Sequence, residues 1–197
     1  MKKREFLAFY KQRYDGRNMG GGAWEFILEE DGDYGFLKIM PRLLKSPPLQ
    51  YIEPQVYMAP SWFAELVREI REDNELNHLF WDVLRYKPDN GEVLEEHLPQ
   101  TLVMAQEWYK EQSKPEVMGA FLKRIHEFGP SIGPVLKQRF YYSCVLKGDV
   151  ELLEAERLAQ ENGTTKLPPA YTLQFFTNAV RLAKEYRSGE RVCPIDF

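Results

Sequence analysis

The sequence predicts a mainly α fold, an irregular bundle of about six to seven helices with a small N-terminal β-hairpin. Three observations predict it. Leu contributes 22 residues against 23 for Val, Ile and Thr together, a balance that leans helical because β-branched side chains favour strands. Apolar residues recur at helical spacing through most of 61–190. Asp31-Gly32-Asp33 stands between two apolar runs, and Asp-Gly in that setting signals a hairpin turn. At 197 residues the chain reads as a single domain, 1–197, long enough to bury a core without disulfides or a metal.

Residues 1–45 form the N-terminal helix-plus-hairpin zone and hold six of the 13 glycines. Arg4 to Tyr14 suits a short helix with Phe6, Leu7, Tyr10 and Tyr14 on one side. Gly20-Gly21-Gly22 breaks it, and 23–40 reads as a two-stranded hairpin. Residues 41–60 hold Pro41, Pro47, Pro48, Pro54 and Pro60, so they read as an extended connector, barred from helix and central strand.

Residues 61–190 read as the helical bundle. Trp62, Phe63, Leu66, Val67 and Ile70 keep helical spacing, and Leu76, Leu79, Phe80, Val83 and Leu84 keep it again. A third helix begins near Pro99 with Leu102, Ala105, Trp108 and Tyr109. A fourth carries Val117, Phe121, Leu122, Ile125 and Phe128 and stops at Gly129-Pro130. Residues 134–147 make a fifth, ended by Gly148. Asp149 is placed to cap a sixth, Val150 to Glu161. A seventh, 169–187, is apolar over much of its circumference and is therefore expected at a centre. The helix-ending glycines 129, 148, 163 and 189 show no period, which argues against a solenoid.

The longest stretch without Asp, Glu, Lys or Arg is Leu167–Val180, 14 residues, too short for a spanning helix of roughly 20. The apolar run after Met1-Lys2-Lys3-Arg4 is too short for a signal-peptide core, and Cys193 lies fifth from the end, off the prenylation position. Two cysteines, Cys144 and Cys193, fit a reducing compartment. A cytoplasmic protein is expected, with no membrane partner.

Catalytic motifs fail on their context. Gly129-Pro130-Ser131-Ile132-Gly133 matches the nucleophile-elbow pattern. A helix precedes it, however, and all three histidines, 78, 97 and 126, come before Ser131. Gly16 to Gly22 lacks the Gly-Lys-Ser/Thr of a phosphate loop. Cys144 sits among apolar residues and reads as a buried small side chain. Glu75 and His78 share a helix face in the predicted helix, and with Asp82 they form the one acid–base candidate, Glu75, His78 and Asp82. No second Glu-x-x-His pair exists, so no metal site and no cofactor are expected.

The net charge is −4, but residues 1–17 carry +4 interleaved with Phe6, Phe9, Tyr10 and Tyr14. That pattern suits a nucleic-acid arm. The remaining residues sum to −8, which repels phosphate backbones. Glu25, Glu29, Glu30, Asp31 and Asp33 are uncompensated and would face a basic protein. Prolines hold the segment around Tyr57 and Trp62 open. The expected partner-binding residues are therefore Glu29, Glu30, Asp31, Asp33, Tyr57 and Trp62. The expected function is a cytosolic protein-interaction module, an inhibitor, immunity protein or adaptor with one protein partner. The alternatives are an enzyme around Glu75, His78 and Asp82, and nucleic-acid binding through the basic N-terminus.

Overall fold

A computed structural model describes residues 1–31, 35–46, 49–72, 78–165 and 167–197. Its architecture is mixed, not mainly α. Among the described residues seven α-helices accompany a five-stranded antiparallel sheet and a separate two-stranded one. The chain divides into two compact units, Met1–Ala64 with Asn77–Gln112, and Glu65–Leu76 with Ser113–Phe197.

The first unit contains the sheets. Helix α1 (Lys3–Lys11) is followed by β1 (Gly16–Gly20), β2 (Ala23–Asp31), β3 (Gly35–Met40), β4 (Leu43–Ser46), β5 (Leu49–Ile52) and β6 (Gln55–Ala59). Later come β7 (Phe80–Val83), a short 3-10 turn at Glu95–His97 and α3 (Leu98–Gln112). The large sheet runs β1-β2-β3-β6-β7, while β4 and β5 pair with each other. The hairpin of β2 and β3 is thus the middle of a sheet and not an isolated ribbon. Gly20 and Gly21 turn β1 into β2 at φ +85° and +57°, the left-handed region where a side chain would be strained.

Proline placement explains why β6 is not a connector. Pro54 and Pro60 bracket the strand and none lies inside it, so the ladder loses no donor. Between them Val56 and Met58 are buried while Gln55 and Tyr57 are only half-buried, the period-two signature of a strand. Pro54 accepts at its carbonyl from Leu84 N (2.9 Å), and Pro60 accepts from Phe63 N and Ala64 N at the start of α2 (Ser61–Arg71).

The helix expected over Leu79, Phe80, Val83 and Leu84 is also replaced by sheet. Leu79 N donates to Met58 O, and Ile52 and Tyr86 exchange both backbone bonds, so 79–86 runs antiparallel along 52–58. Aromatic and β-branched side chains in Phe80-Trp81-Asp82-Val83 fit the pleated partner surface that β6 supplies.

Register fixes the two faces of this sheet. Phe26, Ile39 and Val56 lie in one row across β2, β3 and β6, and all three are fully buried. Phe6, Phe9 and Tyr10 of α1 join Phe26, Ile39 and Val56 in one core with Leu98 and Ala105 of α3. Tyr10 donates to Thr101 Oγ1 (2.7 Å), and Thr101 donates onward to Leu98 O (2.7 Å). The N-terminal aromatics therefore build the core, and Phe6, Phe9 and Tyr10 offer no ring for base stacking.

The second unit is helical. It holds the later part of α2 with α4 (Pro115–Phe128), α5 (Pro134–Lys147), α6 (Val150–Glu161) and α7 (Leu173–Ser188). Gly148 and Gly189 end α5 and α7 in the left-handed conformation. Helix α7 starts at 173 and not at 169, because Thr172 caps it, its hydroxyl accepting from Phe175 N (3.0 Å). Tyr141, Tyr171, Phe175 and Phe176 pack together at the centre, mostly edge-on, with Tyr171 and Phe176 stacked. Asn178 anchors the end of α2, donating to Ile70 O (3.1 Å) and to the Glu72 carboxylate (3.0 Å).

Candidate functional site

Two places combine exposed or polar chemistry with fixed geometry. The first is the β7 edge of the five-stranded sheet. Opposite the core face, Ile27, Lys38, Tyr57 and Trp81 form a row across β2, β3, β6 and β7. Lys38 is held by Glu25 (3.1 Å). Tyr57 donates to Gln55 Oε1 (3.0 Å) and meets the His78 ring edge-on at 5.1 Å. Burial, then the nearby Glu25 carboxylate, raises the Tyr57 hydroxyl pKa, with Arg42 opposing. Tyr57 therefore acts as a neutral donor. Trp81 is 48% exposed and Val83 38% exposed at the outermost strand. The N–H of Val83 is taken by the carboxylate of Asp82 (2.7 Å). Large apolar side chains on a short, exposed edge strand form a surface that another chain can cover.

The sequence-derived residues separate into two groups here. Tyr57 and His78 belong to the β7 edge. Asp82 is paired in register with Val56, whose side chain lies on the opposite face, so it does not join His78. Glu75 and Asp33 lie outside the described residues. Because 80–83 is strand, the helical spacing that put His78 and Asp82 on one helix face does not exist there.

Glu29, Glu30 and Asp31 are at the far end of β2, three strands from β7, or about 14 Å across the sheet. Their roles are partly structural. Asp31 accepts from Ser61 N (3.0 Å) at the first turn of α2, and Glu29 accepts from Gln106 (3.1 Å). Trp62 lies one residue along that helix, half-buried and edge-on to Phe63 at 5.7 Å. Glu30 is exposed. Sequence reasoning missed Trp81. The signal that could have found it was the β-prone run Phe80-Trp81-Asp82-Val83, masked by its coincidental helical spacing.

The second place is in the helical unit. His126 near the end of α4, Cys144 on α5 and Asp149 before α6 bring a ring nitrogen, a thiol sulfur and a carboxylate oxygen within 4.8 Å of one another. His126 Nε2 is hydrogen-bonded to Asp149 Oδ2. Lys147 Nζ stands 3.4 Å from His126 Nδ1. Cys144 is fully buried, and burial pushes its thiol up to about 12, with Asp149 adding to the rise. As a free nucleophile it is therefore inert near neutral pH.

Asp149 does not play the part expected of it. It occupies the position before α6 but makes no side-chain capping bond. Glu151 in the first turn pairs with Arg187, and its carboxylate is lowered to about 2 by Arg187 and then by its own backbone N–H. Gly148 sets the turn. It is left-handed at φ +73°, and a Cβ there would come within 2.9 Å of Arg187 Cβ. Arg187 in turn donates to Gly148 O (2.8 Å).

Among the described residues no helix is long and apolar enough to cross a membrane. No protein-family model, no curated protein and no solved structure matches this chain.

Proposed function

We propose that this chain is a cytoplasmic protein-interaction module that binds one partner protein at the β7 edge of its sheet. One observation carries the reading: Trp81 stands half-exposed beside Tyr57, His78 and Val83 on an edge strand. Trp and Tyr supply large contact area at low entropic cost, and such anchors dominate interface energetics. The partner contributes an extended segment that lies along β7 and sets an apolar side chain on Trp81, in the manner of strand addition. The chain's net charge of −4 favours a segment of basic character. Two free cysteines support a reducing compartment. An inhibitor, immunity protein or adaptor role fits a module that acts by occupying its partner.

The test is native capture from the host lysate at low and moderate salt, with the bound proteins identified by mass spectrometry. A single stoichiometric protein is expected on the wild-type chain and is lost on Trp81→Ala and on Tyr57→Ala, with both variants still folded. No retained protein, or equal retention by both variants, defeats the reading.

A further inference from the structure

The helical unit holds a second and separate chemistry. We propose that His126, Cys144 and Asp149 form a binding site for one divalent cation of the zinc class, with the fourth position open to water.

The argument begins with donor type. A thiolate, an imidazole nitrogen and a carboxylate oxygen are the three ligand classes that Zn²⁺ accepts in protein sites. Cys144 gives the site its preference, because a sulfur ligand disfavours Mg²⁺ and Ca²⁺, which take oxygen. Three protein ligands with one open position is the pattern of exchangeable and catalytic sites rather than of closed structural ones.

Geometry is the second support. Metal–ligand distances of 2.0–2.3 Å place tetrahedral ligand atoms about 3.3–3.8 Å apart. The three donors here already lie within 4.8 Å of one another. His126 and Asp149 are in direct hydrogen-bond contact, so a cation would part these two donors and draw the Cys144 sulfur toward them. The donors come from three different elements, α4, α5 and the start of α6, so the cluster is not an accident of local sequence. An Asp before a helix ordinarily caps it, and this one makes no cap bond and faces His126 instead. Gly148, left-handed at φ +73° where a Cβ would meet Arg187, makes the turn that leads into Asp149.

In the metal-free chain a proton between His126 Nε2 and Asp149 takes the cation's place. On binding, the Cys144 thiol proton leaves to solvent as the sulfur–metal bond forms. The imidazole offers the Nε2 lone pair with its proton on Nδ1. Lys147, exposed and 3.4 Å from Nδ1, opposes both the cation and that tautomer and must swing away. Its charge therefore weakens the site.

The experiment uses the full chain, stripped with a chelator and then titrated with Zn²⁺ and with Co²⁺. One equivalent is expected to bind, with a thiolate-to-cobalt charge-transfer band in the near ultraviolet. Cys144→Ser abolishes that band, Asp149→Asn weakens Zn²⁺ binding at least about tenfold, and Lys147→Gln tightens it. Cys193→Ser leaves both readouts unchanged. If Cys144→Ser does not fold, Asp149→Asn decides, since its side chain is isosteric and partly exposed. No metal uptake, a band that survives Cys144→Ser, a band lost in Cys193→Ser, or Asp149→Asn binding equal to wild type overturns the proposal.

Discussion

In the sheet unit Trp81 stands 48% exposed on an edge strand, whereas in the helical unit Phe175 and Phe176 are 2% and 0% exposed and packed against Tyr141 and Tyr171. Both regions are rich in aromatic residues, but they use them differently. A helix with an apolar circumference must sit at a centre, where its neighbours cover every side. A sheet has two faces and two edges, and α1 and α3 share one core with the inner face. What lies at the β7 edge is left to solvent or to another chain. Aromatic content alone therefore does not separate core from interface. The element that carries the ring does.

Substitutions can break or sharpen that contrast. The largest effect is expected in the helical core. Phe176→Ala removes a fully buried ring from the cluster and should cost about 3–5 kcal/mol, read as a drop in denaturation midpoint. Gly148→Ala should cost about 1–3 kcal/mol, because a side chain at φ +73° is strained and its Cβ meets Arg187. The same variant should also disturb the His126–Asp149 contact, seen as a changed His126 ring resonance.

A third expectation concerns pH. Burial holds the Cys144 thiol up at about 12 against about 9 in the unfolded chain. Stability from the neutral thiol is fully present below about pH 9 and declines as pH rises toward about 12. Metal-free Cys144→Ala should therefore show a shallower loss of melting temperature across that alkaline range. An unchanged slope would place the titration elsewhere.

The smallest stability change is expected at the sheet edge. Trp81→Ala should alter folding free energy by no more than about 0.5 kcal/mol while removing partner capture. If Trp81→Ala instead destabilised as Phe176→Ala does, the ring would be core and the contrast would collapse.

Legibility in the sequence followed the range of the interactions. Helices α3 to α7 could be read because i, i+3 and i+4 contacts, capping residues and terminal glycines are neighbours along the chain. The β2–β3 hairpin could be read for the same reason. The residues at the two candidate sites were less visible. Tyr57 and His78 could be singled out one at a time, but Trp81 joins them only because β7 pairs with β6. Cys144 was legible as a buried side chain and Asp149 as a helix start. Nothing local announced that they meet His126, 18 and 23 residues away in sequence.

By itself the sequence determined the helical segments that became α1 to α7, the β2–β3 hairpin, the acidic balance and the central place of the α7 aromatics. Each rests on composition or on contacts a few residues apart. The tertiary structure alone decided that 55–59 and 80–83 are strands, which face of the sheet Tyr57 shares, and that a thiol, an imidazole and a carboxylate converge. Strand pairing and side-chain convergence depend on partners distant in the chain. A short apolar segment such as 79–84 satisfies helical and extended spacing equally until its neighbour supplies the hydrogen bonds.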